Sequence, residues 1–465
     1  MAIKNNKSLA SMSCRSLRAV EEFSCIGSDC ENNCCHTWRV SLTKKDYVIW
    51  RKAARKDPKE LELFEKNVPK SKSANNSGYA NLLLDKDTGR CSFQKECGLC
   101  RVHEKFGQEA LPSTCRTFPK NYYIDKNIVQ ASASLGCPEY LRNVMAKESA
   151  TDVLEVSLPD ATAGIHKLSS SGSDWHWQRC LPELGELGLS IIKSSRPHAT
   201  LSERLFVLTM MLDQIEDLGM SSSQPLTLGL LSQRVSPFLD ASGRSKTVQE
   251  FRALSVPSNH LSLQFVFSMF AYRLTVGWRD MAPFWDGIYA SYKDVAPAEM
   301  QYVPGESFGV DVDSIAPVFY QRRNKLHSRA GDDLQLWYGR AFCNQFYNGG
   351  GSEDESPLGY LGRHVLTIMM FDFAVCSHED IDCLLEGEGP LDADEKQQLS
   401  QHVVNIVHRI CRTLLHVKKI RTSITKMMDE QEIAALPLLA TMLKDLESGK
   451  KVKEIKLNPI AAMMR

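Results

Sequence analysis

No stretch of this 465-residue chain stays apolar for the roughly 18–20 residues that a membrane-spanning helix requires. The densest apolar run, VLTIMMF at 365–371, is broken by Asp372 and suits a buried helix, so no membrane partner is expected. Net charge is also lacking. The 56 Lys+Arg balance 56 Asp+Glu, with a pI near 7.1, which argues against bulk electrostatic binding to nucleic acid. Neither a P-loop nor a GxGxxG fingerprint occurs. The triple glycine of NGGGSEDES (348–356) is followed by acids and reads as a flexible loop. A doubly wound methyl-donor or nucleotide domain is therefore left without its glycine-rich turn. The first 20 residues hold four bases (Lys4, Lys7, Arg15 and Arg18), no acid and no apolar core. A secretory signal is not expected there. Residues 1–22 read as a disordered leader, and the compartment as the reducing cytosol, where disulfides are disfavoured.

What the chain does have begins with size. Its 465 residues exceed what one hydrophobic core serves, and its 43% apolar and 24% charged residues are those of an ordinary globular protein. Residues 1–140 carry 23 Lys+Arg against 16 Asp+Glu, a balance of +7, so the remainder stands at −7. This is either an asymmetry of solvated faces or a basic module that meets an acidic partner. Within the basic part, TKKDYVIWRKAARK (43–56) predicts a helix opened by Thr43, with Asp46 placed for a capping box. KSKSANNSGYA (70–80) predicts a loop. A linker is expected over 141–175, where LSSSGSD (168–174) is richest in breakers. Beyond it the pattern is helical. Leu201, Leu205, Leu208, Leu212 and Ile215 form one apolar stripe, as do Val403, Val407, Ile410 and Leu414. Segments 259–278, 331–347, 357–376 and 423–445 also fit helices. The expected fold is mostly α. An irregular cysteine-rich, metal-binding module (23–150) precedes a helical domain (175–465).

The chemistry lies in the cysteines. Nine fall between Cys25 and Cys137, in two knots. CIGSDCENNCC supplies Cys25, Cys30, Cys34 and Cys35. The second knot supplies Cys91, Cys97, Cys100 and Cys115, with Cys137 downstream in LGCPEY. More than 50 residues separate the knots, so the fold has to bring them together. Thiolates are soft ligands that suit zinc or iron–sulfur clusters. Only Cys97 and Cys100 have the CxxC spacing of a zinc finger. The adjacent pair Cys34–Cys35 does not reach one ion without strain, which leaves one of the two for a second site or for packing. Cys30-x3-Cys34 is followed by Thr37, so the Cx3Cx2C pattern of radical enzymes is not met. Small buried hydrophobes and a redox framework are the competing readings of these thiols. His36 and His103, beside the knots, are candidate ligands or neighbours of ligands. Cys14, Cys180, Cys343, Cys376, Cys383 and Cys411 are scattered and read as ordinary thiols.

FSCIGSDCENNCCHTWRVSL (23–42), then CSF, then GLC-x14-CRTFPK ending at 120, then SLGCPEY (134–140), resembles the bacterial flagellin lysine-N-methylase family. The stretch is also similar to the broader group of small cysteine-rich domains that chelate zinc or iron. The likeness covers roughly residues 23–140, with a fainter echo in LQLWYGRAFCNQFY (334–347). Eight cysteines match by position: Cys25, Cys30, Cys34, Cys35, Cys91, Cys100, Cys115 and Cys137. Cys97 stands at a variable position. The resemblance implies a 4Fe–4S cluster, with zinc as the alternative metal, and S-adenosylmethionine as methyl donor. It implies a protein-lysine N-methyltransferase whose substrate is flagellin or a flagellin-like protein. One cubane takes four thiolates, and the sequence does not choose among eight. Nor does it locate the donor site or the catalytic residues. Trp38, Tyr122 and Tyr123 are candidate walls of a lysine pocket, with core packing as the plainer reading. The alternatives are a non-enzymatic zinc- or iron-binding module fused to a helical interaction domain, and an iron–sulfur redox protein.

Overall fold

Thr43 opens a helix as its spacing predicts. Its Oγ1 accepts from the Asp46 N–H at 3.1 Å, and the Asp46 carboxylate accepts from the Thr43 N–H at 3.2 Å. The computed structural model describes residues 13–36, 40–76, 78–125, 128–157, 165–167, 181–194, 198–221, 228–255, 260–275, 281–295, 311–347, 356–415 and 435–448. They fall in two compact units, Met1–Leu168 and Ser169–Arg465.

In the first unit, strand β1 (Ser13–Leu17) runs into the short helix α1 (Arg18–Glu21). Then come β2 (Ser41–Leu42), α2 (Lys44–Ala54) and α3 (Pro58–Asn67). Asp57 caps α3, and Pro58 stands at its first turn, where a missing N–H costs nothing. β3 (Ala80–Asn81) pairs antiparallel with β2. The helices α4 (Arg101–Phe106) and α5 (Ser113–Thr117) follow. Next are β4 (Lys120–Asp125), β5 (Ile128–Ala133), α6 (Pro138–Ala146), β6 (Val153–Val156) and β7 (Ile165–Lys167). Five strands make a mixed sheet in the order β6-β1-β5-β4-β7. β1 is parallel to β5, from Ser13 opposite Ile128, and antiparallel to β6. β5 is buried along almost its whole length, as a strand covered on both faces should be.

This sheet was not expected. Residues 13–21, placed by sequence in a loose leader, form β1 and α1. Residues 153–156 and 165–167, placed in a linker, form β6 and β7. Residues 1–12 and LSSSGSD (168–174) lie outside the described residues. The cysteine-rich part has its own core beside the sheet. Trp50 and Phe64 meet edge-on with ring centroids 5.1 Å apart, and Trp50 meets Phe93 at 4.6 Å. Such pairs add about 0.5–1.5 kcal/mol each beyond the area they bury.

The second unit is helical among its described residues, so the chain as a whole is mostly α, as expected. Its helices are α7 (Leu181–Lys193), α8 (Leu201–Ser221), α9 (Leu228–Leu239), α10 (Ala241–Ala253), α11 (Leu261–Thr275) and α12 (Met281–Ala290). They continue as α13 (Val312–Tyr347), α14 (Pro357–Ser377), α15 (Asp382–Glu386), α16 (Ala393–Ile410) and α17 (Ala435–Ser448). The stripe from Leu201 to Ile215 is buried on α8, and Val403, Val407 and Ile410 are buried on α16. α13 kinks at Ala330, which leaves the predicted 331–347 helix as its second half. NGGGSEDES lies outside the described residues except for Ser356, whose hydroxyl accepts from the Gly359 N–H and caps α14.

Every residue of α14 is buried, and α8, α11, α13, α16 and α17 pack around it. This is the VLTIMMF helix. Its one acid, Asp372, is matched inside the bundle. Arg323 Nε lies 2.5 Å from one carboxylate oxygen and His327 Nε2 lies 2.7 Å from the other. Burial alone would push the Asp372 carboxyl up, but Arg323 and His327 overcome it and hold the group well below the usual carboxylate range. Among the described residues, no helix is long and apolar enough to cross a membrane.

Candidate metal centre

The fold closes the gap between the knots through backbone contacts. The Cys91 N–H donates to the Cys35 carbonyl at 2.8 Å, and His36 bridges to Arg90. Two glycines turn the loops: Gly27 (φ +61°), near Leu99, and Gly98 (φ +83°), near Ser28. Both sit in the left-handed region that favours glycine. Asp46 accepts from Ser113 Oγ at 2.9 Å, so the cap of α2 also holds α5 and with it Cys115. Glu60, almost fully buried on α3, pairs with Arg101 at 2.6 Å and Lys105 at 2.7 Å, which seats α4 behind Cys100.

The result is one cavity of about 390 Å³. Its lining includes Cys25, Cys30, Cys34, Cys35, Cys91, Cys100, Cys115 and Cys137, all eight of the cysteines picked out by position. Cys97, left out of that set, is exposed and is not among the lining residues. Of the scattered cysteines, Cys14, Cys343, Cys376 and Cys411 are buried elsewhere and Cys383 is exposed. Cys180 lies outside the described residues. His103 lines the cavity and His36 does not. The rest of the lining includes Phe23, Trp50, Phe93 and Phe118, aliphatic residues, and the polar Asn32, Asn33, Gln108 and Arg116. Of the proposed wall residues, Tyr122 is buried in β4, neither it nor Tyr123 lines the cavity, and Trp38 lies outside the described residues. Trp50 and Phe93 were not among the candidate walls; both also belong to the core of this unit, and nothing in their local sequence separates the two roles.

Backbone N–H groups face several of the sulfurs. The Gly27 N–H faces Cys25 Sγ at 3.4 Å, and the Phe93 N–H faces Cys91 Sγ at 3.5 Å. Burial pushes the thiols of Cys91 and Cys137 up, to about 11 and about 12, and raises Cys30, Cys100 and Cys115 as well. Opposing this, backbone N–H groups turn toward Cys30 from Asn32, toward Cys100 from Val102 and His103, and toward Cys137 from Glu139 and Tyr140. Cys35 is raised first by a hydrogen bond with Cys34 and then by burial. Cys100 and Cys137 stand at the N-caps of α4 and α6, where orphan N–H groups favour negative sulfur. A desolvated thiol with N–H donors aimed at it is poised to become a thiolate once a cation replaces its proton. The donor set is all sulfur, apart from the exposed His103, and its count exceeds the four that one cubane takes. The all-cysteine donor set has the soft-ligand chemistry that an iron–sulfur cluster or thiolate-bound zinc would need, but no three of these sulfurs are among the groups of donor atoms that lie within 4.8 Å of one another in the described residues.

Among the described residues, two groups of three donor atoms lie within 4.8 Å of one another, both in the second unit: His327, Asp372 and Cys376, and His378, Asp380 and His402. In the first, Arg323 already holds the Asp372 carboxylate, so a cation would have to displace a guanidinium. In the second, burial pushes the His378 imidazole down to about 4, leaving it neutral at pH 7. Its Nδ1 sits 3.3 Å from the Asp380 carboxylate.

The first unit is thus a module with a cysteine-lined cavity, packed by aromatic side chains and joined in the chain to a helical unit. Over 126 residues the chain is 35% identical to the flagellar biosynthetic protein FliU of Salmonella muenchen, a match that covers 27% of this chain and 73% of that protein. Over 143 residues it is 32% identical to the lysine-N-methylases of Salmonella typhimurium strain LT2 and Salmonella choleraesuis strain SC-B67, covering 31% of this chain and 35% of each methylase. The chain belongs to the flagellin lysine-N-methylase family. It spans about a third of the length of the two methylases it matches. No protein-family profile matches the chain, and neither does any solved structure.

Proposed function

We propose that this protein is an S-adenosylmethionine-dependent protein-lysine N-methyltransferase acting on flagellin, and that its cysteine cavity holds an iron–sulfur cluster. The observation that carries the reading is the convergence of eight thiols on one cavity in a chain of this family. S-adenosylmethionine, when bound, supplies an electrophilic methyl group. A free lysine amine has a pKa of about 10.4 and is protonated at neutral pH. The accepting amine therefore has to lose a proton, helped by a desolvating pocket or a neighbouring base. The thiols would hold the cluster, while Phe23, Trp50, Phe93 and Phe118 keep water from it. Metal binding at such a site contributes folding free energy, so the cluster would staple the module beside the reacting site.

The test uses protein purified without oxygen. Iron and acid-labile sulfide are measured, and the protein is then incubated with flagellin and S-adenosylmethionine, with methylated lysines read by mass spectrometry. Iron with equal sulfide, and methylation that depends on both additions, is the expected result. Zinc without sulfide, together with no methylation by metal-loaded protein, would leave a non-enzymatic metal-binding module.

A further inference from the structure

We propose that the second unit carries a metal site of its own, in which His378, Asp380 and His402 bind a borderline divalent cation such as Zn²⁺ and leave a fourth position to water. The inference rests on the helical unit alone. It stands or falls apart from the cysteine cavity and from methyl transfer.

Distance carries the argument first. His378 follows the last turn of α14, Asp380 lies in the turn Glu379–Ile381, and His402 stands on α16. Their donor atoms lie within 4.8 Å of one another. Both imidazole Nδ1 atoms face the same carboxylate oxygen. Asp380 Oδ2 lies 3.3 Å from that of His378 and 3.6 Å from that of His402. Zinc bonds of about 2.0–2.1 Å hold the ligands of a tetrahedron about 3.3–3.4 Å apart. The three donors thus already stand close to the spacing of one tetrahedral face. The Asp380 side chain is 59% exposed, so solvent reaches the position that the protein leaves open. Two imidazoles and one carboxylate are the donors that zinc takes in sites of this open kind.

The hydrogen bonds of the two rings carry it second. His402 is 5% exposed, and its Nε2 faces the Val375 carbonyl at 3.3 Å. A carbonyl only accepts, so Nε2 holds the proton and Nδ1 presents a lone pair. That buried Nδ1 has no hydrogen-bond partner. Leaving it so is costly, and a cation between it and Asp380 would satisfy it. An N–H anchored on a backbone carbonyl, with the other nitrogen free, is how metal-bound imidazoles are oriented. The Asp380 N–H approaches His378 Nδ1 at 3.3 Å, so this nitrogen also carries a lone pair, and the cation would displace that long bond. On its far side the His378 ring sits against Gly287 of α12, where a Cβ would come within 2.3 Å of Nε2. Arg322, nearby, is paired with Asp382 at 2.7 Å. Arg409 is a second neighbouring cation and tempers the affinity. In the other group, by contrast, Arg323 already holds the place a cation would take.

The experiment titrates Co²⁺, a coloured stand-in for Zn²⁺, into full-length protein prepared without oxygen, beside Asp380→Asn and His402→Gln. Thiolate-bound cobalt adds a sulfur charge-transfer band in the near ultraviolet, which imidazole and carboxylate ligands do not. The difference between wild type and Asp380→Asn therefore isolates this site from the cysteine cavity. Expected is one ion per chain in that difference, with visible cobalt bands, no sulfur band and displacement by Zn²⁺. Binding at the site should weaken at least tenfold in each variant. Asp380 is exposed, so its variant keeps the fold, which helical circular dichroism checks. Equal cobalt binding in wild type and Asp380→Asn, or a sulfur band in the difference, would overturn the inference and leave the cysteine reading untouched. No cobalt bound by the wild type would overturn it as well.

Discussion

Replacing Asp372 by Asn should unfold the second unit far more easily than one buried substitution of the same size usually does. Asp372 is 2% exposed on the central helix α14, and Arg323, opposite, is 5% exposed. The carboxylate accepts from Arg323 at 2.5 Å, from His327 at 2.7 Å and from the Cys376 thiol at 3.8 Å. Asn keeps the shape but removes the charge, so the guanidinium is left buried without its counterion. Breaking one side of a buried pair costs about 3–5 kcal/mol. For a unit of this size that corresponds to a fall in Tm of about 6–20 °C. The carboxyl is held below its ordinary range, so its contribution is present above about pH 4 and lost only as pH falls through the depressed value. The assay is thermal and urea unfolding at pH 7, followed by helical circular dichroism. Arg323→Met with Asp372→Leu removes both charges and is expected to cost less than Asp372→Asn alone. A loss under about 1 kcal/mol for Asp372→Asn, or a double variant worse than the single, would refute the reasoning, because the pair would then be solvated rather than buried.

Trp50→Ala is expected to cost about 3–5 kcal/mol by removing a fully buried ring, and, since Trp50 also walls the cavity, to speed metal loss to a chelator followed by absorbance. Metal-free protein should lose stability as pH rises. Burial lifts Cys91 to about 11 and Cys137 to about 12. Native protein therefore keeps those protons longer than unfolded chain, whose thiols titrate near about 8.5. The contribution is complete below that value and disappears through pH 11 to 12. For Cys91 it is on the order of 3 kcal/mol. Urea titrations at stepped pH check it, and constant stability across the window would contradict the burial described. Metal loading at pH 7 should release protons, measurable with a pH indicator in weak buffer.

Much of the second unit could be read from spacing alone. The stripe from Leu201 to Ile215 repeats at helical steps, and burial follows that period. The run ending at Asp372 was readable as a buried helix, but its partner was not, since nothing local points from Asp372 to Arg323, 49 positions away. Thr43 and Asp46 were readable because a capping box is complete within four residues. The sheet was not. β1 is five residues of SCRSL, too short for a clear alternation, and its partner Ile128 is more than a hundred positions from Ser13. At the cavity, sulfur density singled out nine cysteines, and the family resemblance, not spacing, set Cys97 aside from the eight that line it. The aromatic walls did not stand out, because Trp50 and Phe93 carry no chemistry that separates a wall from a core.

The place of β1 sets an order on how the molecule can be made. It is the first described strand to be synthesised, yet it lies between β5 and β6, and residue 156 must be synthesised before both of its neighbours exist. Until then β1 is an unpaired edge on a nascent chain, open to other strands. Cys137, the last cavity sulfur in chain order, arrives in the same interval. Arrival of the last cavity cysteine and pairing of β1 on both sides thus fall in the same window of synthesis, between residues 128 and 156. A truncation beginning at residue 23 would spare every cavity cysteine and still remove an interior strand, leaving β6 without its partner.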